Sequence, residues 1–572
     1  MKYKIKNLFN YNNNYLYNLL MNRGINNLED FLFPKEENLL SPLLLDNIEK
    51  AYEILTNNWE KGIIILVDCD TDGYTSAAVM WKYLKDKYPE ANMTFILHEN
   101  KQHGLEDTYN QILEKEQSLL IIPDASSNDY NFHKILKENG KEIIILDHHE
   151  ADSYSENACV INNQLSKNYP NKGLSGVGVT YKFCKFIDEK DNTNFADKYL
   201  DLVAVGMIGD MMPIVTLENR YLFKKGLQSI KNEGLKKLID KQSFSIGDTF
   251  HLTPMKISFY IAPLINALIR VGKINEKEIL FKSLIEGDTI VPSTKRGVKP
   301  GATETIAEQN ARNCVNARSR QNRMKEKALD VLEMEICKNG LNDNKILIVE
   351  VGDNDIDTSL TGLVAMNLVS KHKKPTLVIR EDNTDYLKGS GRGENTSELK
   401  DFKQFLVESG YFDFAEGHPN AFGVSIHKNN IDKFINYANE KLKNVDFNEG
   451  IYEVDFCFDC EDENLINAIT QIGEYPEIWS QGNEEPYFAI KNIRLTYSDV
   501  SIIGKNSDTL KFTKNGVTYI MFKANELIEK IQGKTEFTLE IIGKANLNEW
   551  AGNITPQIMI EDYNFRNTLL DF

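Results

Sequence analysis

The apolar residues of this chain gather into short unbroken runs, with amphipathic stretches between them. Gly62-Ile63-Ile64-Ile65-Leu66-Val67 is the first, and Leu119-Leu120-Ile121-Ile122 and Ile143-Ile144-Ile145-Leu146 follow. Runs that are short, rich in β-branched residues and apolar at every position fit strands covered on both faces. A helical stretch from Thr75 to about Lys87 follows the first run, and strands alternating with helices predict a parallel, doubly wound α/β sheet. Ahead of it, apolar positions at three- and four-residue spacing in Tyr15–Met21 and Leu43–Leu55 predict a helical lead-in over residues 1–60. A long helix is expected from Gln309 to Lys338, broken by Asn339-Gly340. Ile346–Val349 and Pro375–Ile379 then read as strands of a second α/β module. Beyond residue 450, strand-like alternation in Ile451–Phe458, Tyr487–Tyr497, Val517–Phe522 and Glu536–Ile542 predicts a small β-barrel or sandwich. The expected segments are therefore 1–60, 61–290, 291–340 (basic linker and connecting helix), 341–445 and 446–572.

With 41% apolar and 26% charged residues, the 572-residue chain has the composition of a globular protein of several domains. No apolar run approaches the roughly 20 residues that span a bilayer. Met1-Lys2-Tyr3-Lys4-Ile5-Lys6 has no secretory character, and the seven scattered cysteines suit a reducing compartment, so a cytoplasmic location is expected. The net charge of −18 argues against a nucleic-acid partner if taken over the whole molecule. Local distribution changes that picture: Lys295–Lys327 holds nine basic residues, Arg318 and Arg320 among them, against three glutamates.

Each of the three apolar runs ends in acid. The first leads into Asp68-Cys69-Asp70-Thr71-Asp72-Gly73, the second into Pro123-Asp124 and the third into Asp147-His148-His149. Open α/β sheets bind ligands beyond the carboxyl ends of their strands, where these residues would lie. Carboxylates mixed with imidazole suit hard divalent cations, Mn²⁺ or Mg²⁺, and a pair of such ions about 3.5–4 Å apart is a recurrent device for phosphodiester hydrolysis. A calcium loop is the competing reading of Asp-x-Asp-x-Asp-Gly, but its twelfth position is Val79 instead of glutamate.

The three blocks resemble the motifs of the DHH phosphoesterases, and Asp210 at the end of Asp201–Gly209 resembles that family's fourth motif. The resemblance implies two divalent cations held by Asp70, Asp72, Asp124, His148 and Asp210. Asp124 would bridge them, Asp68 would be a ligand or an immediate neighbour, His149 would face the scissile phosphate and Asp147 would orient the histidines. Within the family the chain is similar to RecJ-like single-strand-specific exonucleases over nearly its whole length. Asn22-Arg23-Gly24-Ile25 with Phe31-Leu32 and Ser41-Pro42, the glycine-rich Leu174–Thr180, and Ile261–Ala267 followed by Arg270 and Gly272 carry that similarity. Leu264 departs from it, since the family usually has arginine there. Gly389-Ser390-Gly391-Arg392 and Gly417-His418 resemble the DHH-associated nucleic-acid-binding domain, with glycines for close phosphate approach and Arg392 for a forked contact. Gln481–Phe488 and Asn548–Asn553 are similar to the RecJ OB-fold, where Tyr487, Phe488 and Trp550 are candidates for base stacking or for core positions. Cys457-Phe458-Asp459-Cys460, a lone Cys-x-x-Cys, is read as structural.

The implied fold is a parallel-sheet DHH domain, a second α/β DHH-associated domain and an OB-like β-barrel. The implied activity is 5′-to-3′ degradation of single-stranded DNA in repair or recombination by a monomer, with a helicase or single-strand-binding protein as candidate partners. Arg270, Arg318 and Arg320 are expected to join Ser390, Gly391, Arg392 and His418 as strand contacts. A hydrolase of nanoRNA or a cyclic dinucleotide is the nearest alternative, and it would leave residues 450–572 without a purpose. A non-catalytic replication scaffold is the other, and it would not need every acid to be present.

Overall fold

The computed structural model describes residues 1–6, 13–99, 102–247, 251–352, 356–381, 384–394, 397–447, 451–550 and 553–567. The chain forms two compact units, one made of Ile25–Arg320 with Glu477–Glu484, the other of Met1–Gly24, Gln321–Pro476 and Glu485–Phe572.

The first unit is built on five parallel strands: β1 (Ile63–Val67), β2 (Met93–Leu97), β3 (Leu119–Pro123), β4 (Glu142–Asp147) and β5 (Cys159–Asn162). Their order is β2-β1-β3-β4-β5, every pair parallel. The continuous apolar runs follow from burial on both faces. Ile63, Ile65 and Val67 join one core with Ile121, Ile144 and Leu146, while Ile64 and Leu66 join a second with Leu120, Ile122 and Ile145. Against the larger core pack α1 (Thr71–Lys87), α2 (Gly176–Asp191), α3 (Leu200–Gly209) and α4 (Ala262–Val271). The strand order reverses between β1 and β3, so the loops after these two strands border the crevice where doubly wound sheets bind ligands. Asp68, Asp70 and Asp124 stand in those loops.

Besides the two-stranded pair of Lys2–Ile5 with Ile451–Val454, the second unit contains two larger sheets. In one, β6 (Leu347–Val351) and β7 (Thr376–Glu381) pair in parallel, and β8 (Tyr386–Arg392), β9 (Phe412–His418) and β10 (Ala421–His427) complete a mixed sheet in the order β9-β10-β8-β7-β6. The other is a seven-stranded mixed sheet with Phe456–Asp459 at one edge, Val500–Ile503 at the other and the long antiparallel pair Phe537–Trp550 and Asn553–Asn567 between them. The long helix α5 spans Ile306–Asn339.

One expectation is corrected. The lead-in is helical at Tyr15–Asn22, Leu28–Leu32 and Ile48–Asn58, but Lys2–Ile5 is a strand that pairs in parallel with Ile451–Val454. Four residues cannot reveal helical period, and their strand character comes from a partner more than four hundred positions away. Glu477–Glu484, within the expected C-terminal segment, makes its contacts with the first unit, where Ile214 N–H donates to Gln481 O at 2.9 Å and Arg220 lies 3.6 Å from Glu477. No helix among the described residues is long and apolar enough to cross a membrane.

Candidate metal centre

Asp70 caps α1, its Oδ1 accepting the Gly73 N–H at 2.9 Å. That hydrogen bond aims the positive end of the helix at the acids around it and offsets part of their repulsion. Two residues on, within the first turn, the buried Asp72 accepts hydrogen bonds at Oδ1 from Ser175 Oγ (3.1 Å) and Val177 N–H (3.2 Å) at the start of α2. Asp124 follows β3 in the left-handed region, φ 72°, which turns its carboxylate back over the strand end. Two glycines make room for these side chains. A Cβ at Gly176 would stand 2.1 Å from Asp124 Oδ1, and one at Gly206 would stand 2.8 Å from Asp72 Oδ1 and 2.1 Å from Thr75 Oγ1. Asp210 terminates α3, where the helix presents its negative end to a carboxylate, an arrangement that calls for a cation.

The side chains converge. Asp68, Asp70 and Asp124 offer ligand atoms within 4.8 Å of one another, as do Asp72, His148 and Asp210, and again Asp124, His148 and His149. His148 Nε2 lies 3.2 Å from Asp124 Oδ1 and 3.4 Å from Asp210 Oδ2. Asp72 Oδ2, Asp124 Oδ1 and Asp210 Oδ2 are buried and have no hydrogen-bond partner. Buried carboxylate oxygens are normally satisfied, so three in one cluster mark a place prepared for cations. Burial and mutual repulsion accordingly push Asp72 up to about 7 and Asp210 up to about 8, and raise Asp124 well above the ordinary carboxylate range. The residues present therefore fit a cluster of hard divalent cations.

Asp147 and the two histidines divide their work. Asp147 Oδ1 accepts the backbone N–H of His148 (2.7 Å) and Nδ1–H of His149 (2.8 Å), while its Oδ2 accepts the Ser127 N–H at 3.0 Å. Burial lowers His148 to about 4, which keeps its Nε2 lone pair free for a metal at neutral pH. Burial works against charge on His149 as well, but the hydrogen bond it donates to Asp147 prevails and raises it to about 9. His149 is thus an imidazolium with its side chain 54% exposed at the mouth of the cluster.

The basic residues fare unequally. Burial depresses Arg270, whose nearest charges include Asp70 and Arg318. Arg320 is forked onto Glu276, with Nη–Oε distances of 3.2 and 2.8 Å, and Arg312 is forked onto Glu304 at 2.6 and 2.7 Å. The expectation of Arg320 as a strand contact thus meets a guanidinium whose fork is occupied. The positive excess read over Lys295–Lys327 is smaller for the same reason. Leu264 is buried in the large core and fills a packing position instead of a phosphate-facing one. Its neighbour Asn266 accepts hydrogen bonds at Oδ1 from Thr71 N–H (3.2 Å) and Oγ1 (3.0 Å), which ties α4 to the first acidic loop.

In the second unit, strand register sets Arg392, Ala421 and His418 in one row across β8, β10 and β9. Residues directly opposite share a face, so Arg392 and His418 stand on the same side about 10 Å apart, and Ser390, two residues from Arg392, joins them. Ser390 Oγ is 2.9 Å from Thr361 Oγ1, Arg392 Nη1 donates to Gly391 O at 2.7 Å, and a Cβ at Gly391 would stand 2.4 Å from the Phe422 ring. Phe488 is fully buried against Phe456 and Phe458, whereas Tyr487 is partly exposed and donates to Glu561 at 2.8 Å. The side chain of Trp550 lies outside the described residues. Cys457 and Cys460 are free thiols, and neither joins a potential metal group among the described residues.

Two histidines escaped the sequence reading. His98 follows β2, and its Nδ1 lies 2.8 Å from Asp107. His103 Nδ1 lies 2.5 Å from Asp68 Oδ2. The signal for His98 was available, because β2 ends in a ligand-type residue like its neighbours. The strand itself, Met93–Leu97, was not picked out because only its last two residues are fully buried.

The geometry is that of a doubly wound sheet with an acid–histidine cluster at its switch point, and comparison with known proteins agrees. Residues 62–207 match the DHH family, N-terminal domain, and residues 460–562 match the RecJ OB domain. The chain is 38% identical over 98% of its length, and 97% of the relative's, to YorK, an SPβ prophage-derived protein of Bacillus subtilis (strain 168) named as a single-strand DNA-specific exonuclease. It is 28% identical over 95% of its length to the single-stranded-DNA-specific exonuclease RecJ of Bacillus subtilis, covering 67% of that protein. Among solved structures, RecJ of Thermus thermophilus in complex with Mn²⁺ shares the fold, with a TM-score of 0.71 at 20% identity over 96% of this chain and 75% of that one. This chain belongs to the RecJ family of DHH-domain proteins.

Proposed function

We propose that the protein is an exonuclease that hydrolyses single-stranded DNA in the 5′-to-3′ direction. It would use two divalent cations, Mn²⁺ or Mg²⁺, held by Asp68, Asp70, Asp72, Asp124, His148 and Asp210. The observation that carries this reading is the set of three buried carboxylate oxygens on Asp72, Asp124 and Asp210 that make no hydrogen bond, two of them converging on His148 Nε2, within one acid–histidine cluster. The names of the relatives and the OB-domain match support the choice of substrate. When bound, such a cation pair lowers the pKa of water and offsets the charge on the attacking and leaving oxygens.

The chain's own groups complete the chemistry. Asp124, which belongs to two of the overlapping ligand groups, would help to hold the cations as a shared carboxylate. His149 presents its imidazolium to the scissile phosphate, adding a charge-assisted hydrogen bond where negative charge accumulates. Asp147 positions both histidines and holds the proton on His149. Arg270 and Arg318 in the first unit, and Ser390, Gly391, Arg392 and His418 in the second, supply contacts to the strand. The deciding experiment follows products from 5′- and 3′-labelled single and double strands with Mn²⁺, Mg²⁺ or chelator. Early release of the 5′ label from single strands only, abolished by chelator, is expected. Undiminished cleavage in chelator, or equal degradation of duplex, refutes the proposal.

A further inference from the structure

Beside the acid cluster, and sharing Asp68 with it, lie Cys69, His98 and His103, ligand-type side chains that the proposed reaction does not use. Cys69 interrupts the acidic loop, and its thiol is buried. Its Sγ stands 3.6 Å from Nε2 and 3.8 Å from Nδ1 of His103, and Asp68, Cys69 and His103 offer ligand atoms within 4.8 Å of one another. A tetrahedral zinc-type ion with a sulfur ligand at about 2.3 Å and a nitrogen ligand at about 2.0 Å separates those two atoms by about 3.5 Å. The observed spacing is close to that value. His103 Nδ1 is held by Asp68 Oδ2 at 2.5 Å, which leaves Nε2, 3.6 Å from Sγ, as the nitrogen turned toward the thiol.

An independent feature points to the same place. His98 is buried, with its Nδ1 held by Asp107 at 2.8 Å, while its Nε2 has no hydrogen-bond partner and faces Asp68 Oδ1 at 3.8 Å. A carboxylate on one imidazole nitrogen and an open lone pair on the other is the arrangement that prepares histidine for a metal. Lys277 holds the segment behind it, donating from Nζ to the carbonyls of His98 (3.3 Å) and Glu99 (2.7 Å).

We propose that Cys69, His103 and Asp68, with His98 in reserve as a fourth ligand, form a site for a thiophilic divalent cation of the zinc class, distinct in chemistry from the hard-cation cluster beside it. Thiolate and imidazole select zinc, cobalt or cadmium, whereas carboxylates alone select magnesium or manganese. Asp68 faces both sets. An ion in the soft site therefore draws Asp68 away from Asp70 and Asp124 and acts as an inhibitor of whatever reaction the acid cluster supports.

The test needs no assumption about DNA. Metal-free full-length protein is titrated with Co²⁺, and absorbance is followed in the near-ultraviolet, where thiolate-to-cobalt charge transfer appears, and in the visible, where cobalt on any ligand set absorbs. The wild type should show both signals. Cys69→Ser should lose the ultraviolet band and keep the visible one, and His103→Gln and His98→Gln should weaken cobalt binding at the ultraviolet-active site by about 10-fold or more. Visible absorption with no ultraviolet band in the wild type overturns the site. So does an ultraviolet band that survives Cys69→Ser, which would place the thiolate at another cysteine, or binding unchanged in both histidine variants. These readouts stand whether or not the protein proves to be an exonuclease.

Discussion

Nδ1 of His149 lies 2.8 Å from Oδ1 of Asp147, and this one hydrogen bond sets the two histidines of the triplet apart. His148, beside it, has its Nε2 against Asp124 and Asp210 and is kept neutral by burial, while His149 keeps a proton up to about pH 9. A reaction that needs the His149 imidazolium therefore proceeds below that value and declines as pH rises through it. In Asp147→Asn the counter-charge is gone, so the decline should move toward the ordinary histidine range near pH 6.5, and turnover at pH 8 should fall by about 10–100-fold. A pH–rate profile of the two proteins measures this, and superimposable profiles would exclude the assignment.

Asp124→Ala removes the carboxylate shared by two of the ligand groups. Cleavage should be abolished, whereas binding of a labelled single strand should stay within a few-fold of wild type. Wild-type-like nuclease activity in this variant would sink the metal assignment.

Gly176→Ala should act through crowding, because the new methyl would sit 2.1 Å from Asp124 Oδ1. Over-packing of this kind costs about 1–3 kcal/mol. The displaced carboxylate should also weaken Mn²⁺ binding about 10–100-fold, as measured by calorimetry. A fold destabilised with unaltered Mn²⁺ affinity would show that Gly176 serves the helix start alone.

The acid cluster was legible in the sequence because strand ends, β-branched runs and acids coincide within a few residues of one another. Asp68, Asp70, Asp124 and the Asp147–His149 triplet each follow an apolar run directly, so one rule about sheet edges locates them all. Asp210 carried no such marker; it sits at a helix end, and only resemblance singled it out. What local pattern could not give was pairing at long range. Arg320 reads as a free cation until Glu276 is placed against it, and Glu477–Glu484 reads as part of the barrel until Gln481 meets Ile214. His98 and His103 depend on a strand and a loop bringing them to Asp68, which is again a matter of tertiary placement. Leu264 reads as a lost phosphate contact in one dimension and as core packing in three.

Arg392 and Arg320 should separate cleanly in binding experiments. Arg392→Ala removes a cation from the Arg392–Ala421–His418 row. Single-strand affinity should weaken, and if Arg392 meets a phosphate, the slope of log K against log salt should flatten by about 0.7. Arg320→Ala should leave that slope unchanged, since its guanidinium already neutralises Glu276. A larger salt effect from Arg320 than from Arg392 would reverse the assignment.

Metal removal should make stability depend on pH with a definite sign. In the metal-free fold Asp72 stands at about 7 and Asp210 at about 8, both above the value near 3.9 of an unfolded chain. Between those limits the folded state binds more protons than the unfolded one. Stability must therefore fall as pH rises, in full supply below about 4 and lost progressively toward 8. This is the reverse of the usual behaviour of a salt-bridged aspartate, because here the carboxylates are buried and face one another. Saturating Mn²⁺ supplies the missing charge, and at a hundred times its Kd should restore about 2.7 kcal/mol. Thermal unfolding of metal-free protein at pH 5 and pH 8, with and without Mn²⁺, should show a lower midpoint at pH 8 and a stabilisation by Mn²⁺ that is larger there than at pH 5. Equal stabilisation at both values would mean that these carboxylates do not hold the ion.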